Sequence, residues 1–190
     1  MSTHTLSRRF ESLYARPPTY RQPVAQVEPG NLAVKVESVL MSSQGPVVML
    51  APANGAAADF PDKILPIFID QGQALNIQLA LEGQLSPRPM THDLFSAVLN
   101  ELGAIVERVV IEELAQNTFY ASLYIQIEKG DNSSVKRFDA RPSDCIALAV
   151  RVGAAIHVSK KLMESAGVKR SEVGPMPEEG ADDADMGVPR

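Results

Sequence analysis

Between Phe119 and Ile127 every second residue is apolar: Phe119, Ala121, Leu123, Ile125 and Ile127 alternate with Tyr120, Ser122, Tyr124 and Gln126. A period of two sends the two sets to opposite faces of a β-strand, so this segment requires a sheet with one apolar and one polar face. The flanking segments supply partners for it. Leu32–Met41, Val47–Leu50, Ile64–Ile69, Ile105–Leu114, Val135–Asp139 and Ala155–Val158 read as further strands, rich in Val and Ile. Pro66 lacks a ladder donor and places Ile64–Ile69 at an edge or a bulge.

Helical spacing appears in Ala74–Leu81, stopped by Gly83, and in Leu94, Phe95, Val98, Leu99 and Leu102, stopped by Gly103. Pro142 opens a third helix running to Gly153, and Ser159 caps a fourth that ends at Gly167. Strands and helices alternate without a strict βαβ rhythm. The expected fold is therefore α+β: a single domain with a mixed, mostly antiparallel sheet packed with helices.

The 190 residues are enough for one domain, and 45% are hydrophobic, which excludes a rod or a chain disordered throughout. One Cys excludes a disulfide framework and a Cys-based zinc site. No apolar run reaches about 18 residues, so no membrane span is expected, and the first ten residues lack a signal-peptide core. The expected location is the cytoplasm. Residues 1–30 are polar and marked by four prolines, and read as a flexible extension. Residues 169–190 read as a disordered acidic tail, leaving a domain over 31–168. The last twenty residues hold six acidic residues and one Arg, while the rest balances at 17 against 17. The whole net charge of −5 thus sits in the tail. A near-neutral domain attracts nucleic acid only through a local basic cleft or a bound metal.

Two stretches depart from scaffold chemistry. Arg88-Pro89-Met90-Thr91-His92-Asp93 precedes the Leu94 helix, and Asp139-Ala140-Arg141-Pro142-Ser143-Asp144 precedes the Ile146 helix. Each sets an Arg-Pro pair and an Asp at a helix N-terminus, where unpaired N–H groups favour an acid. Two readings stand side by side. In one, each Asp caps its helix and pairs with an Arg. In the other, the two entrances converge on one cleft. Asp93, Asp139 and Asp144 would then hold Mg²⁺ or Mn²⁺, His92 would ligate or carry a proton, and Arg88 and Arg141 would grip phosphate.

These residues also carry a resemblance. Leu65-Pro66-Ile67-Phe68-Ile69, Arg88 to Leu94, Thr118-Phe119-Tyr120-Ala121 and Asp139 to Ala149 stand in the order found in the bifunctional nuclease (BFN) domain family, over about 135 residues from Val34 to Val168. The resemblance implies one α+β domain and a nuclease acting on both DNA and RNA. The roles given to individual residues rest on their chemistry alone. The chain departs from the family pattern at Gln73, where the family usually has Glu, and at Cys145, where it has Ala. If that Glu were a ligand or a base, Gln73 could not ionise to replace it. A non-catalytic module that binds an anion or a protein partner is the alternative function. A homo-oligomer, most simply a dimer, is expected through an exposed strand such as Val47–Leu50 or Ile64–Ile69.

Overall fold

A computed structural model of the chain describes residues 27–173, apart from residues 54, 55, 57, 85, 130 and 131. The expected extension and acidic tail lie mostly outside the described residues.

The Phe119–Ile127 alternation becomes the middle of β5 (Thr118–Lys129), which pairs antiparallel with β4 (Ala104–Ala115) and β6 (Asn132–Ala140). The other strands are β1 (Asn31–Ser42), β2 (Gly45–Pro52), β3 (Lys63–Phe68), β7 (Ala155–Ser159) and the two-residue β8 (Val168–Lys169). They form one sheet in the order β6-β5-β4-β7-β1-β2-β3-β8. Every pairing is antiparallel except β4 with β7. The mixed, mostly antiparallel α+β domain is as expected. The one parallel pair follows from α3 (Pro142–Val152), which carries the chain from β6 back across the sheet to β7.

The remaining helices are α1 (Gln71–Leu81), α2 (Thr91–Glu101) and α4 (Lys160–Ala166). One face of the sheet carries them. Val34, Leu50, Leu65, Val109, Leu123, Ile125 and Ile156 bury against Ile77 of α1, Cys145–Ala149 of α3 and Met163 of α4 in one apolar cluster. Alternate residues Val47, Met49 and Ala51 turn to the other face and form a smaller cluster with Ile64, covered by Leu40, Val168 and Val173. α3 is the central prop. Seven of its residues are buried, Pro142 stands at its first position, and Gly153 ends it in the left-handed region at φ 72°.

The register corrects one expectation. Val47–Leu50 is not an exposed strand: β2 lies between β1 and β3 and is buried from Pro46 to Ala51. The sheet ends at β6 and β8. β8 covers β3 only at Lys63 and Ile64, so Pro66 stands where its missing donor deprives no outer neighbour. The chain runs on past Val168 as β8 and a 3-10 turn at Arg170–Glu172, held by an Arg170–Glu37 ion pair.

Candidate functional site

The two helix entrances meet. His92 is the second residue of α2 and Asp144 the third of α3, and His92 Nε2 lies 3.1 Å from Asp144 Oδ1. The carboxylate acceptor fixes the proton on Nε2, while Nδ1 faces inward, buried and without a partner. Arg141, the N-cap of α3, closes the group from outside. Its Nε donates to Asp144 Oδ2 at 2.9 Å and its Nη2 to Oδ1 at 3.3 Å. The Asp144 hydrogen bond, then its charge, then the charge of Asp70 raise the pKa of Arg141 further above its ordinary value. The Arg141 side chain is 68% exposed, so its remaining donors face water.

Asp93 behaves differently. Its Oδ2 accepts from the backbone N–H of Met90 at 2.8 Å, which caps α2, and its Oδ1 accepts from Arg151 Nε at 2.7 Å. Arg151 also donates through Nη1 to the backbone oxygen of Asn76 at 3.0 Å, so it ties α1, α2 and α3 together. Both side chains are largely buried. Neither Arg151 nor Asn76 stood out in the sequence. The available signal was spacing: Arg151 lies seven residues, about two turns, beyond Asp144 on the same helix face.

Asp139 does not join the group. It sits opposite Ser122 in the β5–β6 register, and Ser122 alternates with Ala121 and Leu123, whose side chains face the helices. Directly opposed residues share a face, so Asp139 belongs to the far side of the sheet, with Arg137. Arg88 is exposed two residues ahead of Met90, the N-cap of α2. The two Arg-Pro pairs are therefore not equivalent. Arg141-Pro142 forms the N-cap and first residue of α3, whereas Arg88-Pro89 stands wholly outside α2.

The three-carboxylate site for Mg²⁺ or Mn²⁺ does not fit this arrangement. Among the described residues no group of three His, Cys, Asp or Glu side chains is placed to hold a metal ion. Asp139 is across the sheet and both Asp93 oxygens are engaged. Gln73 explains itself locally. Asp70 caps α1 by accepting from Gln73 N at 2.8 Å, and Gln73 Oε1 accepts from Asp70 N at 3.1 Å. This is a capping box, which Glu and Gln fill alike. Cys145 is buried, and desolvation, with the Asp144 charge second, pushes its thiol up to about 12. It is packing, as its place in an apolar helix suggests.

Fold and site together define a one-sheet α+β protein that joins an imidazole, a carboxylate and an outward guanidinium at two helix N-termini. A family model described as the bifunctional nuclease domain matches residues 57–171. An uncharacterized protein of Mycobacterium tuberculosis is 39% identical over 123 residues, 65% of this chain and 67% of its own length. Bifunctional nuclease 1 of Oryza sativa subsp. indica is 28% identical over 121 residues, 64% of this chain and 36% of that protein. Bifunctional nuclease 2 of Arabidopsis thaliana is 29% identical over 111 residues, 58% and 33% of the two chains. The chain thus spans about a third of these plant relatives, and it belongs to the bifunctional nuclease domain family. Among the described residues no helix is long and apolar enough to cross a membrane.

Proposed function

We propose that the chain is a nuclease that cleaves phosphodiester bonds of DNA and RNA with little sequence preference, at the His92–Asp144–Arg141 group. The observation that carries this reading is the 3.1 Å contact between His92 and Asp144, which joins residues 52 positions apart beside an exposed arginine fork. Family membership and the names of the plant relatives supply the reaction class.

The chemistry follows from the groups present. The free donors of Arg141 take a phosphate oxygen, aided by the N-terminal dipole of α3. As Arg141 turns its fork to the phosphate, Asp144 Oδ2 loses its partner and accepts a proton from the attacking water. The water oxygen bonds to phosphorus as the P–O bond to the departing sugar oxygen breaks, and that sugar oxygen takes up a proton from solvent. His92, bonded through Nε2, keeps the other oxygen oriented.

The experiment uses the full chain, freed of host nuclease, on single- and double-stranded DNA and RNA. It is run with Mg²⁺, with Mn²⁺ and with a chelator. Cleavage that His92→Ala and Asp144→Asn each abolish supports the reading. Cleavage unchanged in both variants, or none on any substrate, refutes it. The exposed Arg141 fork at the N-terminus of α3 also suits the alternative, a module that binds an anion without turning it over. That alternative predicts phosphate-oligonucleotide binding that needs Arg141 but leaves the nucleic acid intact.

A further inference from the structure

We propose that the outward face of α2 is the contact surface for a second copy of this chain. α2 is assembled the reverse of an ordinary surface helix. None of its eleven residues is buried, whereas α3, of the same length, buries seven. Towards the domain it turns the polar contacts of His92 and Asp93, with Leu99 resting on the main core. Its larger apolar side chains, Leu94, Phe95 and Val98, point to water, and Leu102 continues the stripe just past the last turn. Leu94 is 56% exposed and Leu102 71%. An eleven-residue helix is marginal alone and takes its stability from the surface it buries. Among the described residues no element covers this apolar face.

Two features select a copy of the same chain as the occupant. The first is charge. A two-fold contact sets residues near the axis against themselves, so any charge there meets its like. From Leu94 to Asn100 α2 carries no charged side chain, and Glu101, three residues past Val98 at the centre of the stripe, would face the Phe95 end of an antiparallel copy rather than its own like. The second is area. The four exposed side chains offer about 400 Å² of apolar surface per copy. For a pair, with the usual polar share, that makes about 1,300 Å², at the lower end of stable interfaces. The contact would use the helix whose first turn holds His92 and Asp93, so pairing of two copies would steady the same segment that carries the cluster. The proposal stands whether or not the cluster is catalytic.

The test is the mass of the full chain in solution, read by light scattering on a sizing column at micromolar concentrations. The wild type is expected at twice its 20.5 kDa chain mass. Val98→Glu, which puts like charges against each other at the middle of the stripe, is expected to run at the single-chain mass with an unchanged circular dichroism spectrum. Because Leu102 is mostly exposed already, Leu102→Glu leaves the monomer fold intact and should weaken pairing at least tenfold even if Val98→Glu misfolds. A wild type at single-chain mass up to about 100 µM, whatever else covers α2, overturns the proposal. So does a dimer that Leu102→Glu and a folded Val98→Glu leave as tight as before.

Discussion

Arg151 Nε donates to Asp93 Oδ1 across 2.7 Å, and the pair fastens the last turn of α3 to the first turn of α2. Both partners are largely withdrawn from water, and Asp93 also caps its helix. Removing the guanidinium leaves a largely buried carboxylate with one partner in place of two. Arg151→Met is therefore expected to cost about 2–4 kcal/mol in urea unfolding. Asp93→Asn keeps a cap oxygen but leaves the buried Arg151 guanidinium without its counter-charge, and should cost a similar amount, about 2–3 kcal/mol. A loss below about 0.5 kcal/mol in Arg151→Met would show that the pair is not what holds the helices.

The geometry separates the three carboxylates that the sequence grouped together. Asp144→Asn should lower cleavage by about 10²-fold or more, the usual scale for a proton-transfer group. His92→Ala, which releases that carboxylate from its orienting partner, should cost about 10²-fold through misplacement. Arg141→Lys keeps the charge but not the fork, and should raise KM more than it lowers kcat. Asp139→Asn, on the far face of the sheet, should leave cleavage within about twofold. Parallel assays with purified variants decide it. An Asp139→Asn variant as dead as Asp144→Asn would place the site elsewhere.

The same contrast shows what was legible in the sequence. Period-two alternation in β5 and helical spacing in α3 are local, and each element formed where its pattern lay. β6 was readable only in part, because an edge strand exposed along nearly all its length has no apolar face to fix its phase. The face taken by Asp139 depends on its register against Ser122, a pairing between strands. Extra residues at the irregularities between Val106 and Arg108 and between Ile111 and Glu113 reset the phase of β4 in the same way. Arg151 and Asn76 were missed for a related reason: Arg151 on α3 bonds Asp93 on α2 and Asn76 on α1, and only packing brings the three helices together. The convergence of His92 and Asp144 was foreseen as one of two readings, but the neutralising role of Arg141 belongs to the other.

Gln73 was the departure that put activity in doubt. As the third residue of α1 it completes a capping box with Asp70, and a glutamate would make the same bond. Gln73→Glu should thus move the melting temperature by no more than about 2 °C and leave any cleavage unchanged. Gln73→Ala should cost about 1 kcal/mol, since the backbone N–H of Asp70 loses its acceptor. A large gain of cleavage in Gln73→Glu would instead make that position catalytic.

Cys145 gives a direct measure of opening. Burial, reinforced by the charge of Asp144, pushes its thiol up to about 12, so almost no thiolate exists at pH 8. A thiol reagent at pH 8 should label the native chain only at the rate at which the domain opens. Labelling should then speed up in urea in step with the loss of circular dichroism. Rapid stoichiometric labelling of the native protein would contradict a packed Cys145.

His157 should make stability depend on pH. It lies buried in β7, and desolvation, then the positive charge of Arg108, lowers its pKa below the ordinary 6.5, with Glu28 opposing the shift. Arg108 itself is held between Glu28 and Glu107 and lies over the Tyr124 ring at 3.9 Å, so the positive charge is fixed in place. Below pH 6.5 the unfolded chain takes up a proton on this imidazole that the folded chain refuses. The unfolded state then binds more protons, and stability rises with pH. The contribution of His157 is complete above 6.5 and is lost as pH falls from 6.5 towards the lowered folded value. Urea midpoints measured from pH 7.5 down to 5 should therefore decline, and in His157→Gln, which cannot titrate, the decline over that window should be shallower. An identical slope in the variant would assign the pH dependence to other groups.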